Sequence, residues 1–279
     1  MLKNKPISHR VAVVYNPSIE RARTEWRRLQ RWLKAHHKSV IGGTDVKPEM
    51  KHADFLVVLG GDGTLLNVAR AVARWNLPLL GVNVGRLGFL AATETASLYQ
   101  TLALILAKRS RVEKRALLSV TATVRGQPAG PFLGLNVCVI RSASSGRVAI
   151  LQALIQNLPL ATYVGDGLIV STPTGSTAYS LAASGPIIHP ELDVLLLCPI
   201  CPHTLSQRPL LVPTSEIISV RVDRTSQPAM VSLDGQEILT LQPGDHVDIR
   251  EGTERVLLLM DPAHSFYQVL QTKLKWGGT

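Results

Sequence analysis

Three apolar runs without polar alternation, RVAVVYN (10–16), FLVVL (55–59) and LPLLGVN (77–83), each set apart from the next by a stretch of helical spacing, restrict this chain more than any other feature. A strand that is apolar at every position is buried on both faces, and strands that alternate with helices build a parallel sheet covered on both sides. Helices are predicted over the basic stretch RARTEWRRLQRWLKAHHK (21–38), over 64–75 and over 96–108. Residues 1–110 therefore read as a doubly wound, Rossmann-like α/β domain.

From 111 to 261 the pattern changes to short β-rich runs, LLSVTATV, LGLNVCVIR, AILQALI, LIVST, IISVRVD and HVDIREG, with the turn signals RGQPAG, PTS, LDGQE and QPGD among them. This is the pattern of a β-rich second domain. The terminal SFYQVLQTKLKWGG returns to helical spacing, so residues 262–279 are expected to complete the first domain. The 279 residues are enough for two moderate cores. No uncharged apolar stretch reaches the length of about 18 residues that a membrane span needs, and the N-terminus MLKNKPISHR has no apolar signal core. Neither a membrane span nor secretion is expected, and a cytoplasmic location follows. Three cysteines fit reduced thiols rather than a disulfide framework.

A formal charge of +10 favours an anionic partner, which narrows to nucleic acid, a membrane surface or a phosphate-rich small ligand. Basic residues are dense only in 21–38, where the apolar spacing describes an amphipathic surface helix with a solvated basic face. Nucleic-acid binding is the weaker option here, and neither nucleic acid nor a membrane is the expected partner.

Between FLVVL and the helix that follows stands GGDGT, Gly60 to Thr64. Glycines at a strand-to-helix turn permit a positive φ and close approach of a ligand, while the helix start offers unpaired N–H groups and a positive dipole end. Gly60, Gly61, Gly63 and Thr64 thus form a candidate phosphate loop, with Thr64 as the expected N-cap. A carboxylate there is repelled by phosphates, so Asp62 needs a reason: it holds Mg²⁺, it takes the proton of an attacking hydroxyl, or it merely closes its own turn. A second stretch, YVGDGLIVSTPTGSTAYSLAASGPIIHP (163–190), pairs another Asp-Gly with five hydroxyl residues between Ser171 and Thr177, ahead of a helix predicted over TAYSLAAS. Such hydroxyls suit ribose, phosphate or amide groups.

GGDGTLL, GVNVGRLGFL (81–90), VSTPTGSTAYSLAASGPIIHP (170–190), PICPHTLSQRPLLVP (199–213) and SLDGQ (232–236), in that order, resemble the motifs of the NAD kinases over roughly residues 55 to 276. The resemblance implies phosphoryl transfer from ATP, with Mg²⁺ or another divalent cation, to the 2′-hydroxyl of the adenosine ribose of NAD, giving NADP. It implies that Asp62 takes the hydroxyl proton and that Gly63 lies against the dinucleotide. Asn136, Asp166, Thr177, Ala178 and Tyr179 would contact the dinucleotide, with Val137, Ser180, Ala182 and Gln236 beside them. No protein-held metal is implied. The resemblance also implies an active site in the cleft between the two domains and a homodimer or homotetramer.

The sequence departs from the family pattern at Val137, where Glu or Asp is usual, at Ala182, often Ser, and at Val164, often Arg. These departures bear on affinity and on the choice between oxidised and reduced dinucleotide. Two other readings stand beside the kinase. GGDGT and VVYNPS (13–18) would suit a lipid kinase, and Val137 with Ala182 would suit a dinucleotide sensor without turnover. Cys198, Cys201 and His203 imitate a zinc spacing, but prolines on both sides of Cys201 describe a stiff turn and no zinc is expected. Cys138 reads as a small buried hydrophobe, and Trp26, Trp32, Trp75 and Trp276 as packing residues.

Overall fold

A computed structural model of the chain describes residues 10–85, 88–144, 146–262 and 265–276. The chain divides into two compact units, one formed by residues up to 114 together with those from 254 on, the other by residues 115–253.

In the first unit, β1 (Arg10–Tyr15), α1 (Glu20–Ala35), β2 (Ser39–Gly43), β3 (Phe55–Gly60), α2 (Asp62–Val72) and β4 (Leu79–Asn83) alternate, and the strands pair in parallel in the order β2-β1-β3-β4. The short β5 (Thr93–Glu94) pairs with β4 and leads to α3 (Leu98–Leu106). Every residue of β3 and β4 is buried, which is why their sequences show no alternation. β1 has β2 on one side and β3 on the other, so the winding reverses direction between β1 and β3. In open α/β sheets ligands bind beyond the carboxyl ends of the strands at that reversal. GGDGT follows β3 at this place. β2 was not expected from the sequence; it is a half-buried strand at the end of the sheet, where little apolar patterning is required.

α1 turns Ala22, Leu29 and Leu33 inward, together with the carboxylate of Glu25. A buried carboxylate requires partners. The Tyr99 hydroxyl donates to Glu25 Oε1 at 2.6 Å and the Arg28 guanidinium lies 3.7 Å from Glu25 Oε2, while burial and the Glu25 carboxylate push the Tyr99 phenol up. The exposed side carries Arg21, Arg23, Arg27, Arg28, Arg31 and Lys34. Trp26 stacks on Tyr15 and Trp32 on His36, but Trp276, expected to pack, is 55% exposed.

The second unit is built from antiparallel strands: β6 (Arg111–Val124), β7 (Gln127–Gly134), β8 (Val137–Ser142), β9 (Ala149–Ile155), β10 (Leu158–Gly165), β11 (Gly167–Ser171), then, after the single-turn α4 (Tyr179–Ala182), β12 (Val194–Ile200), β13 (Leu210–Pro213), β14 (Ile218–Val222), β15 (Ala229–Leu233), β16 (Gln236–Leu241) and β17 (His246–Met260). One sheet runs β13-β12-β11-β8-β15-β16; in the other, β10, β9, β14 and the start of β17 are neighbours, and β6 pairs with β7 and β17. The far end of β17 belongs to the first unit, where Leu258 pairs with Leu79, and α5 (Phe266–Leu274) follows it, opened by a capping box of Ser265 and Gln268.

Cys138, Ile140, Leu168, Val170, Leu195 and Leu197 point into one core, shared with β9, β14 and β17, while Val137, Val139, Ile169, Leu196 and Cys198 pack on the opposite face with Ile188. Both faces are covered over Val137–Ile140, Leu168–Val170 and Leu195–Cys198, so these runs are continuously apolar. Each fully buried Leu, Ile or Val contributes about 1.5–3 kcal/mol. Among the described residues no helix is long and apolar enough to cross a membrane.

Candidate active site

GGDGT joins β3 to α2 with Gly61 as the N-cap, in extended backbone, and Asp62 as the first helical residue. Two expectations change here. None of the three glycines adopts a positive φ, and Thr64 sits inside the first turn rather than at the cap. Gly60 is required by packing, since a Cβ there would lie 2.6 Å from the Thr64 side chain, whereas around Gly61 and Gly63 a Cβ would meet nothing within 4 Å. That open space is where a ligand can reach the backbone. Thr64 Oγ1 accepts from Asn16 Nδ2 at 3.2 Å, which ties the residue after β1 to the first turn of α2.

The Asp62 carboxylate is half-buried and held by the segment that follows β4. The Phe89 N–H donates to Asp62 Oδ2 at 2.8 Å and the Leu90 N–H to Asp62 Oδ1 at 3.4 Å. Gly88 is what lets this segment close on the carboxylate, because a Cβ on it would lie 1.9 Å from Asp62 Oδ1. The segment is braced further: the Gly85 N–H donates to the buried Asn83 Oδ1 at 2.8 Å, and the Lys273 ammonium lies 5.6 Å from the centre of the Phe89 ring. Arg86 and Leu87 of the GVNVGRLGFL motif lie outside the described residues. Neither Gly88 nor Phe89 was singled out from the sequence as part of the site. Asp62 is therefore not closing its own turn; its partners are 27 and 28 residues away.

In the second unit close packing shapes the stretch 163–190. Gly165 and Gly167 are packing residues, since Cβ atoms there would come within 2.7 Å of Cys201 O and 2.3 Å of Ile140 O. Asp166 stands between them with its side chain exposed. The helix expected over TAYSLAAS is broken: a 3₁₀ turn over Thr174–Thr177 precedes Ala178, whose ψ of −129° ends it before α4. Several of the hydroxyls are taken up by backbone carbonyls. Thr172 Oγ1 donates to Leu135 O at 2.6 Å, Ser176 Oγ to Pro173 O at 2.7 Å and Thr177 Oγ1 to Thr174 O at 3.2 Å. These bonds shape the loop.

Two side-chain atoms are different. Among the described residues, Asn136 Oδ1 and Ser180 Oγ are buried and have no hydrogen-bond partner. A buried polar group left this way costs about 1–3 kcal/mol, so such atoms mark places that a ligand can complete. Gly175 packs so closely beneath Asn136 that a Cβ would lie 2.1 Å from Asn136 O. Tyr179 and Ala182 are exposed, Thr177 and Ala178 are half-buried, and Gln236 is exposed at the start of β16. Val137 is turned into the apolar face with Ile188 and Leu196. Val164, half-buried, accepts the His203 N–H at its carbonyl.

Cys198 is buried in that face, where burial pushes its thiol up to about 11, and burial also raises the Cys138 thiol. Cys201 is exposed. Among the described residues no three His, Cys, Asp or Glu side chains converge as a metal site.

The chain matches the family models of the ATP-NAD kinase N-terminal domain over residues 43–110 and of the ATP-NAD kinase C-terminal domain over residues 135–260. It is 39% identical over 255 residues to the NAD kinase of Geobacter metallireducens, covering 91% of this chain and 90% of that one. The NAD kinase of Archaeoglobus fulgidus, solved in complex with ATP, superposes with a TM-score of 0.81 at 25% identity, covering 95% of this chain and 98% of that one. Yeast NADH kinase, solved with NADH, has the same fold, with a TM-score of 0.88 at 21% identity over 99% of this chain and 89% of that one. With the GGDGT carboxylate seated at the winding reversal and both domain models matched, the chain belongs to the ATP-NAD kinase family.

Proposed function

We propose that this chain transfers the γ-phosphoryl group of ATP to the 2′-hydroxyl of the adenosine ribose of NAD, and that Asp62 is the base. The observation that carries this reading is the Asp62 carboxylate, seated by the Phe89 and Leu90 N–H groups at the head of α2 beside the open backbone of Gly61 and Gly63. A ribose hydroxyl is a poor nucleophile at neutral pH, and a positioned base contributes about 10²- to 10⁴-fold. The 2′-hydroxyl proton passes to Asp62 as the oxygen attacks the γ-phosphorus. The bond from that phosphorus to the β,γ-bridging oxygen breaks, its electron pair leaves with ADP, and NADP is formed.

Gly60, Gly61, Gly63 and Thr64 present the turn and the first N–H groups of α2 to phosphate oxygens, which a helix start suits. Gly63 also gives the dinucleotide room. Asn136 and Ser180 supply the two buried unpartnered atoms, and Asp166, Thr177, Ala178, Tyr179, Val137, Ala182 and Gln236 complete the dinucleotide site. The divalent cation is the one ATP carries on its phosphates, and no step here runs through it. We place the protein in the cytoplasm as a homodimer or homotetramer, in keeping with its free thiols and with the family resemblance.

The test follows labelled γ-phosphate from ATP with Mg²⁺ into NAD, NADH and diacylglycerol offered in separate reactions. Label is expected in NADP. Label in lipid alone would replace this reading with a lipid kinase, and NAD binding without any labelled product would replace it with a sensor.

A further inference from the structure

The turn between β15 and β16 holds a carboxylate with an unusual set of partners. Asp234 Oδ2 accepts the Leu135 N–H at 2.7 Å, and Asp234 Oδ1 accepts the Asn136 N–H at 2.8 Å and the Val137 N–H at 3.0 Å. The Asp234 N–H returns a bond to Val137 O at 2.9 Å. Three consecutive amides converging on one carboxylate fix the path of the chain through them, since each bond to a charged acceptor is about twice as strong as a neutral one. The carbonyl side of the same segment is held as firmly: Thr172 Oγ1 donates to Leu135 O, the Thr172 N–H donates to Asn136 O at 3.0 Å, and Gly175 packs beneath that oxygen.

At the centre of this clamp is Asn136, 9% exposed, with Oδ1 buried and unpartnered. An orphaned acceptor is tolerated only where the surroundings over-determine the backbone that bears it. We infer that Asp234 is a positioning residue for the dinucleotide: its carboxylate sets the Asn136 peptide, and through it aims Asn136 Oδ1 at a donor group of the bound nucleotide. The inference rests on the proposed role of Asn136 as a dinucleotide contact. It assigns a task to the Asp of SLDGQ, from which the sequence suggests only Gln236 as a contact.

The position permits a clean test. Asp234 has a φ of 49° and Gly235 a φ of 82°, so the turn needs left-handed residues, and Asn and Gly both adopt that conformation readily. Asp234→Asn and Asp234→Gly therefore keep the turn while changing or removing the acceptor. Calorimetric NAD binding, steady-state KM for NAD and for ATP, and thermal melting are measured for the wild-type chain, both Asp234 variants, Asn136→Ala and the Asp234→Asn/Asn136→Ala double variant. Asp234→Asn is expected to weaken NAD binding and raise the NAD KM about tenfold, with the ATP KM unchanged. The double variant is expected to bind NAD no more weakly than Asn136→Ala alone, because both changes act on one contact.

An unchanged NAD affinity in folded Asp234→Asn and Asp234→Gly would overturn the inference. So would full additivity in the double variant, or a rise in both KM values with a falling Tm, which is the mark of a merely structural residue. Because calorimetry reads NAD binding without turnover, a wild-type chain that binds NAD but forms no NADP would contradict the kinase reading and still leave the positioning role measurable.

Discussion

Asp62→Asn is expected to lower kcat for NADP formation by about 10²- to 10⁴-fold while NAD affinity stays close to that of the wild type. The replacement is nearly isosteric. The asparagine carbonyl oxygen can still accept the Phe89 N–H, so the segment that seats the side chain keeps its strongest bond. What is lost is the ability to take a proton and the negative charge at the head of α2. That charge, in the first turn of a helix, contributes only about 0.3–1 kcal/mol at partly exposed positions, so the variant should melt close to the wild type. Initial rates of NADP formation and calorimetric NAD binding on the same preparation separate the two effects. A rate within threefold of wild type would remove Asp62 from the role of base.

Gly88→Ala is expected to be nearly as damaging, although Gly88 touches no substrate atom in this account. Its Cβ would lie 1.9 Å from Asp62 Oδ1 and 2.4 Å from Asp62 Cγ, which no real contact permits. Relief can come in two ways: the Asp62 side chain swings off the Phe89 and Leu90 amides, or the segment 88–90 retreats and carries those amides away. Either moves the base from its place by an ångström or more, and a misplacement of that size costs about 10²-fold in rate. A fall in kcat of that order is expected, with NAD affinity affected far less. Adding Gly88→Ala to Asp62→Asn is expected to cost little beyond Asp62→Asn alone, since residues that act as a unit are not additive. Two independent losses that multiply would show that Gly88 acts elsewhere.

The sequence made the α/β half readable because burial on both faces leaves an unmistakable mark: FLVVL and LPLLGVN can only be interior strands. It also singled out Asp62 and the stretch 163–190 as candidate site residues. β2 escaped because SVIGG is a short edge strand with no strong pattern. The hydroxyls of 171–177 have a structural part that the sequence does not show: composition shows that donors are present but not where they point, and the fold turns Thr172, Ser176 and Thr177 onto backbone carbonyls. In the same way the glycines beside Asp166 serve close strand packing rather than a ligand. Gly88 and Asp234 were beyond reach altogether, because their tasks exist only in contacts made across 26 and about 100 residues of chain, such as the bond from the Asn136 amide to Asp234 at a separation of 98.

The central claim, that the Asp62 carboxylate takes the proton of the ribose hydroxyl, is tested most directly by removing that carboxylate and returning one from solution. Asp62→Ala leaves a good helix former at the head of α2 and two free amides, Phe89 N–H and Leu90 N–H, able to hold a small anion. NADP formation by this variant is measured with ATP, Mg²⁺ and NAD at rising formate, against equal chloride. The account predicts a rate far below wild type that climbs with formate and saturates, with no response to chloride; turnover at the wild-type rate with no carboxylate added would contradict it.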